Sequence, residues 1–194
     1  MEIKKSTRQE IWELARFTLV ALLIVVPIRL YIAQPFLVVG DSMVPTFHNH
    51  DYLVIDQLSY RFSEPKRGDV VVFKYPYDTK RYFIKRLIGL PGETVVIKDS
   101  EVRIQNDEYP NGFVLTEPYI SAEVFTSGVT QLGNGEYFVM GDNRTYSSGS
   151  RAWGVLGKEF LTGRALLRLW PISGIDLFPG VHASYNDHST TSSK

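Results

Sequence analysis

The chain of 194 residues contains no cysteine. That excludes a disulfide scaffold and any metal site built on thiolates, and it suits an oxidising extracytoplasmic space. Net charge is also absent, because 21 Lys and Arg offset 21 Asp and Glu. No global basic field draws such a chain to nucleic acid. Asp41, Asp51, Asp56 and Asp69 lack the spacing of metal ligands, so neither a metal nor another cofactor is expected. Histidine is scarce: His182 and His188 lie toward the tail, and His48 and His50 sit in no strand of catalytic pattern. There is no Gly-x-Ser-x-Gly elbow, which argues against an α/β-hydrolase. What is present is a hydrophobic fraction of 44%. That is enough for one domain with a substantial core and a short anchor.

No apolar run is long. Phe17 to Ile28 is free of charge but has only twelve residues, where a helix crossing ~30 Å of hydrocarbon needs about 20. Extension to Trp12 and Ile32 reaches that length. Glu13, Arg16 and Arg29 then fall near the ends, where long basic chains snorkel. Trp12 and Tyr31 suit the interfaces, and Pro27 kinks the outer end. Lys4, Lys5 and Arg8 precede the segment, while only Arg29 follows closely before Arg61. The positive-inside rule places the N-terminus in the cytoplasm and the remainder outside, in a single pass through the cell membrane. A cleavable leader would end on small residues, but Ala33 has Tyr31 two positions before it. A buried core helix is the other alternative. The expected organisation is a cytoplasmic segment over 1–11, a transmembrane anchor over 12–32, an extracytoplasmic β domain over 33–182 and a disordered tail over 183–194.

From Pro35 onward short β-branched runs alternate with turn residues. Strands are expected over 36–39, 52–55, 69–73, 82–84, 94–97, 102–104 and 136–140. Arg67-Gly68-Asp69, Leu90-Pro91-Gly92-Glu93 and Asn134-Gly135 read as turns. The pattern predicts a mostly β fold, with an antiparallel sheet following the N-terminal helix. Residues 117–132 are polar and poor in strand signal, and read as an insertion or mobile loop.

Two residues suggest chemistry. Ser42 lies in Gly40-Asp41-Ser42-Met43-Val44-Pro45-Thr46, just beyond the apolar segment. A serine hydroxyl becomes a nucleophile only when a base removes its proton. Lys85 is flanked by Phe83, Ile84, Leu87 and Ile88. An ammonium buried among them loses hydration, its pKa falls, and the neutral amine becomes a base. The bland readings are a turn hydroxyl and an edge-strand lysine facing water.

The chain resembles the type I signal peptidases, membrane-anchored serine proteases that remove signal peptides from exported proteins. The resemblance runs from the anchor to Trp170-Pro171. It rests on Gly40 to Thr46, Arg67 to Phe73, Tyr82 to Arg86 with Gly89 to Glu93, and Gly141 to Gly154. It implies Ser42 as nucleophile and Lys85 as general base. Ser147 resembles the serine that orients the lysine, and Asp142 and Arg86 resemble a supporting ion pair. The oxyanion hole falls to the Ser42 N–H and the Gly40 backbone. Phe36, Val38, Met43, Phe47, Phe83 and Ile84 match positions lining shallow apolar pockets that admit Ala-x-Ala before the cut. The implied fold is the signal-peptidase and SOS-repressor type of β domain. The implied partners are signal-peptide-bearing precursors, membrane lipid and a nearby secretion translocon. Two positions depart from the pattern: Gly40 stands where some members carry a serine, and Gly149 stands where an aspartate pairs with the arginine matched by Arg151, which leaves a softer loop expected there. Two other classes stay open. A self-cleaving repressor would carry a DNA-binding domain in place of the anchor, and a tethered peptide-binding β domain would need no catalysis.

Overall fold

The structure, a computed structural model, describes residues 7–27, 29, 33–120 and 127–181. Helix α1 runs Thr7–Pro27 and buries no residue. Pro27, which lacks an N–H for the helical ladder, is its last residue. Its first half carries Arg8, Glu10, Glu13 and Arg16, which interrupt the apolar surface. Among the described residues no helix is long and apolar enough to cross a membrane. Of the anchor expected over 12–32, the described part is a helix that starts earlier, at Thr7, and runs to Pro27. Positions 1–6, 28, 30–32 and the expected tail over 183–194 lie outside the described residues.

The rest is antiparallel β, as expected. The strands are β1 (Ala33–Leu37), β2 (Tyr52–Asp56), β3 (Val70–Tyr75), β4 (Asp78–Gly89), β5 (Thr94–Lys98), β6 (Glu101–Gln105), β7 (Phe113–Val114), β8 (Gly128–Gln131), β9 (Glu136–Met140), β10 (Leu156–Gly157), β11 (Leu161–Trp170) and β12 (Asp176–Leu177). A short helix, α2, spans Ser150–Trp153. The large sheet has the order β1-β2-β11-β3-β4-β9-β10 with β12 beside β11, and the small sheet has the order β7-β6-β5-β8. Pro35 fits β1 because that strand is an edge, paired only with β2.

Three apolar clusters hold the sheets. Ile88, Val95, Ile104, Leu132 and Phe138 join the small sheet to β4 and β9. Val71, Phe73, Leu87, Tyr137 and Val139 form a second cluster. Met43, Phe47, Leu53, Ile55, Val70 and Val72 form a third, under the turn that carries Ser42.

The short β-branched and aromatic runs of β2, β3, β5, β6 and β9 match expectation, but β11 does not. It was not expected as a strand, yet it lies between β2 and β3. Its sequence, Leu-Thr-Gly-Arg-Ala-Leu-Leu-Arg-Leu-Trp, has no strict alternation. Register shifts against both neighbours explain why, since each bulge breaks the two-residue period. The mobile loop expected over 117–132 is also revised. Residues 128–131 form β8 on β5, Tyr119 is buried, and 121–126 lie outside the described residues.

Candidate active site

β4 changes partners in mid-strand, and that change builds the site. Residues 78–86 pair with β3, with Lys85 opposite Val71. From Arg86 onward the other edge pairs with β9. Among the described residues that edge has no ladder partner over 82–85, and β1 is paired on one side only. An open groove of about 340 Å³ lies between them, lined by residues of both strands together with Ser42, Leu53, Val72, Tyr146 and Ser148.

The Ser42 turn is pinned from below and from one side. Met43 and Phe47 are buried to 1% and 0% exposure. Phe47 N–H donates to the Met43 carbonyl at 2.9 Å. From the side, Asn143 N–H donates to the Ser42 carbonyl at 3.2 Å, and its Nδ2 donates to the Asp41 carbonyl at 3.1 Å. Gly141 lies so close to the Ser42 carbonyl and the Ser147 hydroxyl that a Cβ there would overlap both. Gly40 has φ +92°, a conformation that side chains disfavour. Its N–H donates to Asn49 Oδ1 at 3.0 Å, so this expected oxyanion donor is committed elsewhere.

Lys85 is 5% exposed. Its Nζ donates to Ser42 Oγ at 2.7 Å and to the Ile84 carbonyl at 2.9 Å. The Phe83 ring centroid stands 5.7 Å from Nζ. Burial lowers the lysine pKa from 10.5 to about 8, and the Asp142 carboxylate opposes part of that fall.

Arg86 and Asp142 are both fully buried, at 0% side-chain exposure. Arg86 Nε donates to Asp142 Oδ1 at 2.8 Å and Nη2 to Oδ2 at 2.6 Å, a two-pronged pair. Arg86 Nη1 reaches the Gly68 carbonyl at 2.9 Å, and Thr46 Oγ1 donates to Asp142 Oδ2 at 2.5 Å.

Several expected roles meet different geometry. Ser147 sits beside Gly141, but among the described residues its hydroxyl has no hydrogen bond, to Lys85 or to any other group. The donors of Lys85 point instead to Ser42 and Ile84. Of the six expected pocket residues, Phe36, Val38, Phe83 and Ile84 line the groove. Met43 and Phe47 lie beneath it in the core, because their burial is what anchors the turn. Tyr82 and Tyr146 line the groove without having been expected there. Tyr82 packs edge-on against Phe36, with ring centroids 5.2 Å apart. Among the described residues no group of acidic or histidine side chains has an arrangement that would hold a metal ion.

Comparison with known proteins places these observations in context. Residues 11–170 match the family described as signal peptidase, peptidase S26. A probable signal peptidase I-2 from Synechocystis sp. is 37% identical over 183 residues, which is 90% of this chain and 80% of that protein. Signal peptidase I T from Bacillus subtilis is 35% identical over 182 residues, covering 88% of this chain and 90% of its own. The crystal structure of a signal peptidase I from Enterococcus faecalis V583 is similar with a TM-score of 0.45 and 31% identity, over 53% of this chain and 97% of that one.

Gly149 is buried rather than loose. A Cβ there would come within 2.6 Å of the Val139 carbonyl and 3.2 Å of Met140 Cα. The next residue, Ser150, accepts the Val139 N–H at 3.0 Å, so the segment is pressed onto β9. Arg151 uses backbone acceptors, donating from Nη2 to the Arg144 carbonyl at 2.5 Å and to the Ser147 carbonyl at 3.3 Å. The softer loop expected from this glycine is therefore a close approach that excludes a side chain. Gly149→Asp should destabilise the fold by about 2 kcal/mol, through forced displacement of backbone. Thermal unfolding of the variant measures this, and an unchanged melting temperature would contradict it.

Proposed function

This chain belongs to the signal peptidase, peptidase S26, family, and on that premise we propose that it is a membrane-attached serine endopeptidase that cleaves signal peptides from exported precursors, with Ser42 as nucleophile and neutral Lys85 as base. The observation that carries the reading is the 2.7 Å contact between Lys85 Nζ and Ser42 Oγ, made by a lysine held out of water. With its proton lost, the amine accepts the serine proton as Oγ attacks the scissile carbonyl. In this reading the Ser42 N–H stabilises the oxyanion. The ammonium so formed returns its proton to the departing amine, leaving an acyl-enzyme on Ser42. The regenerated amine then takes a proton from water, whose oxygen attacks the acyl carbon, and Ser42 recovers its hydroxyl as the ester bond breaks.

The substrate enters as an extended chain between the free edges of β1 and β4, taking main-chain hydrogen bonds from both. Phe36, Val38, Phe83 and Ile84 bound the groove and favour small side chains at the first and third positions before the cut. Membrane attachment has two supports. Helix α1 buries nothing. Near the end of β11, Trp170, Ile172, Ile175 and Leu177 are 55%, 69%, 57% and 62% exposed, an apolar surface of the kind that meets lipid or protein. Residues 33–182 then form the extracytoplasmic catalytic domain, with the N-terminus on the cytoplasmic side.

Ser42→Ala should lower cleavage of a purified precursor by roughly three orders of magnitude or more without unfolding the domain. Lys85→Arg should be inactive at every pH, since a guanidinium in a protein keeps its proton. The wild-type rate should rise with pH up to about 8, where the buried lysine loses its proton, and level off above. Appreciable turnover by Ser42→Ala, or by the arginine variant at any pH, would overturn the assignment. Replacing either alanine of an Ala-x-Ala substrate by leucine should lower kcat/KM by about a hundredfold. Equal turnover of both peptides would contradict the pocket reading.

A further inference from the structure

One segment of the small sheet reaches the candidate site. Leu115 is buried, and its N–H donates to the Val102 carbonyl at 2.8 Å, so the chain leaves β7 still tied to β6. Glu117 then accepts from both terminal nitrogens of Arg144, from Nη1 at 2.8 Å and from Nη2 more closely. The two side chains are 5% and 0% exposed. Tyr119 Oη donates to Glu117 Oε1 at 2.6 Å, and the Tyr119 ring centroid lies 3.9 Å from Arg86 Cζ. Arg144 Nε donates to the Gly141 carbonyl at 3.1 Å. Gly141 packs directly on Ser42 and Ser147.

We propose that Glu117 and Tyr119 are positioning residues: held on the small sheet, they fix Arg144 and Arg86, and through them the 141–147 loop against the Ser42 turn. The inference rests on the reading of Ser42 as nucleophile and Lys85 as base. A buried guanidinium that loses its carboxylate is costly and shifts to find another. If Arg144 shifts, the Gly141 carbonyl loses its donor, and the loop that braces the Ser42 carbonyl loses its hold. Tyr119 links the two arginines, because its hydroxyl touches the partner of one and its ring covers the other.

The test follows acylation of Ser42 by a small serine-reactive agent, read by mass spectrometry, alongside kcat and KM on a precursor peptide. Glu117→Gln removes the charge and keeps the shape, and Tyr119→Phe removes only the hydroxyl. Glu93→Gln is the comparator, since Glu93 forms an equally two-pronged pair with Arg67, at 2.8 and 2.6 Å, away from the groove. Glu117→Gln should lower acylation and kcat together by about tenfold, the rate equivalent of one charge-assisted hydrogen bond. Its KM should stay near the wild-type value. Tyr119→Phe should show the same pattern with a smaller loss, and carries the test if Glu117→Gln fails to fold. Glu93→Gln should lower the melting temperature and leave acylation per folded molecule unchanged. If the variants at 117 and 119 also lose only melting temperature, the segment stabilises the fold without positioning the site. Failure of the underlying reading is distinct: the wild type would then acylate no faster than Ser42→Ala.

Discussion

A lysine amine held out of water, 2.7 Å from a serine hydroxyl, is the constraint around which the neighbouring parts are arranged. An ammonium in that place is penalised by its lost hydration, which is what brings its pKa down toward neutrality. A carboxylate pairing directly with it would undo the effect. Asp142 exerts some of that pull on Lys85, but its oxygens are taken by Arg86 and Thr46. The aspartate charge is matched against a permanent cation and not against the titratable one. The arrangement has a consequence for stability. Between about 8 and 10.5 an unfolded lysine holds its proton while the folded one has released it. The unfolded chain binds more protons there, so the stability contribution of Lys85 rises with pH across that window.

Arg86 and Arg144 are fully buried charges, and such groups seldom add net stability over well-packed apolar residues. Their value here is geometric. Arg86 gathers Asp142 and the backbone of Gly68. Arg144 gathers Glu117 and the Gly141 carbonyl. The turn at Ser42, strand β4, the 141–147 loop and the 115–120 segment thus meet through donors of fixed planar shape. Strand β4 makes this possible by pairing with β3 over 78–86 and with β9 only from Arg86 onward, which leaves the groove edge open beside Lys85.

Much of the site was legible in the sequence because its signals are local. A lysine between Ile84 and Leu87 is conspicuous by its apolar surroundings, and a Gly-x-Ser-Met-x-Pro frame is short and distinctive. Most strand positions followed from short β-branched runs bounded by turn residues, for the same reason. What escaped depends on distant partners. Met43 and Phe47 are as apolar as Phe83, and only packing decides which side of the turn faces the groove. Glu117 and Tyr119 sit in a polar stretch, and nothing nearby announces that Arg144 and Arg86 cover them. Gly149 was read as a source of looseness, whereas contact with Val139, ten residues earlier in sequence, makes it a tight fit. β11 was hidden by its bulges, which erase the alternation that identifies a strand.

The central claim is that Lys85, while it touches Ser42, gives up its proton near pH 8, so that a working fraction of the amine is neutral near physiological pH. Direct titration of the Lys85 amine tests it most closely, by following its side-chain NMR resonances in isotopically labelled wild-type protein. The account predicts a transition near pH 8, well below the ordinary lysine value of 10.5. A Lys85 transition at or above 10.5 would show that the amine stays charged where the enzyme works, and would contradict the account.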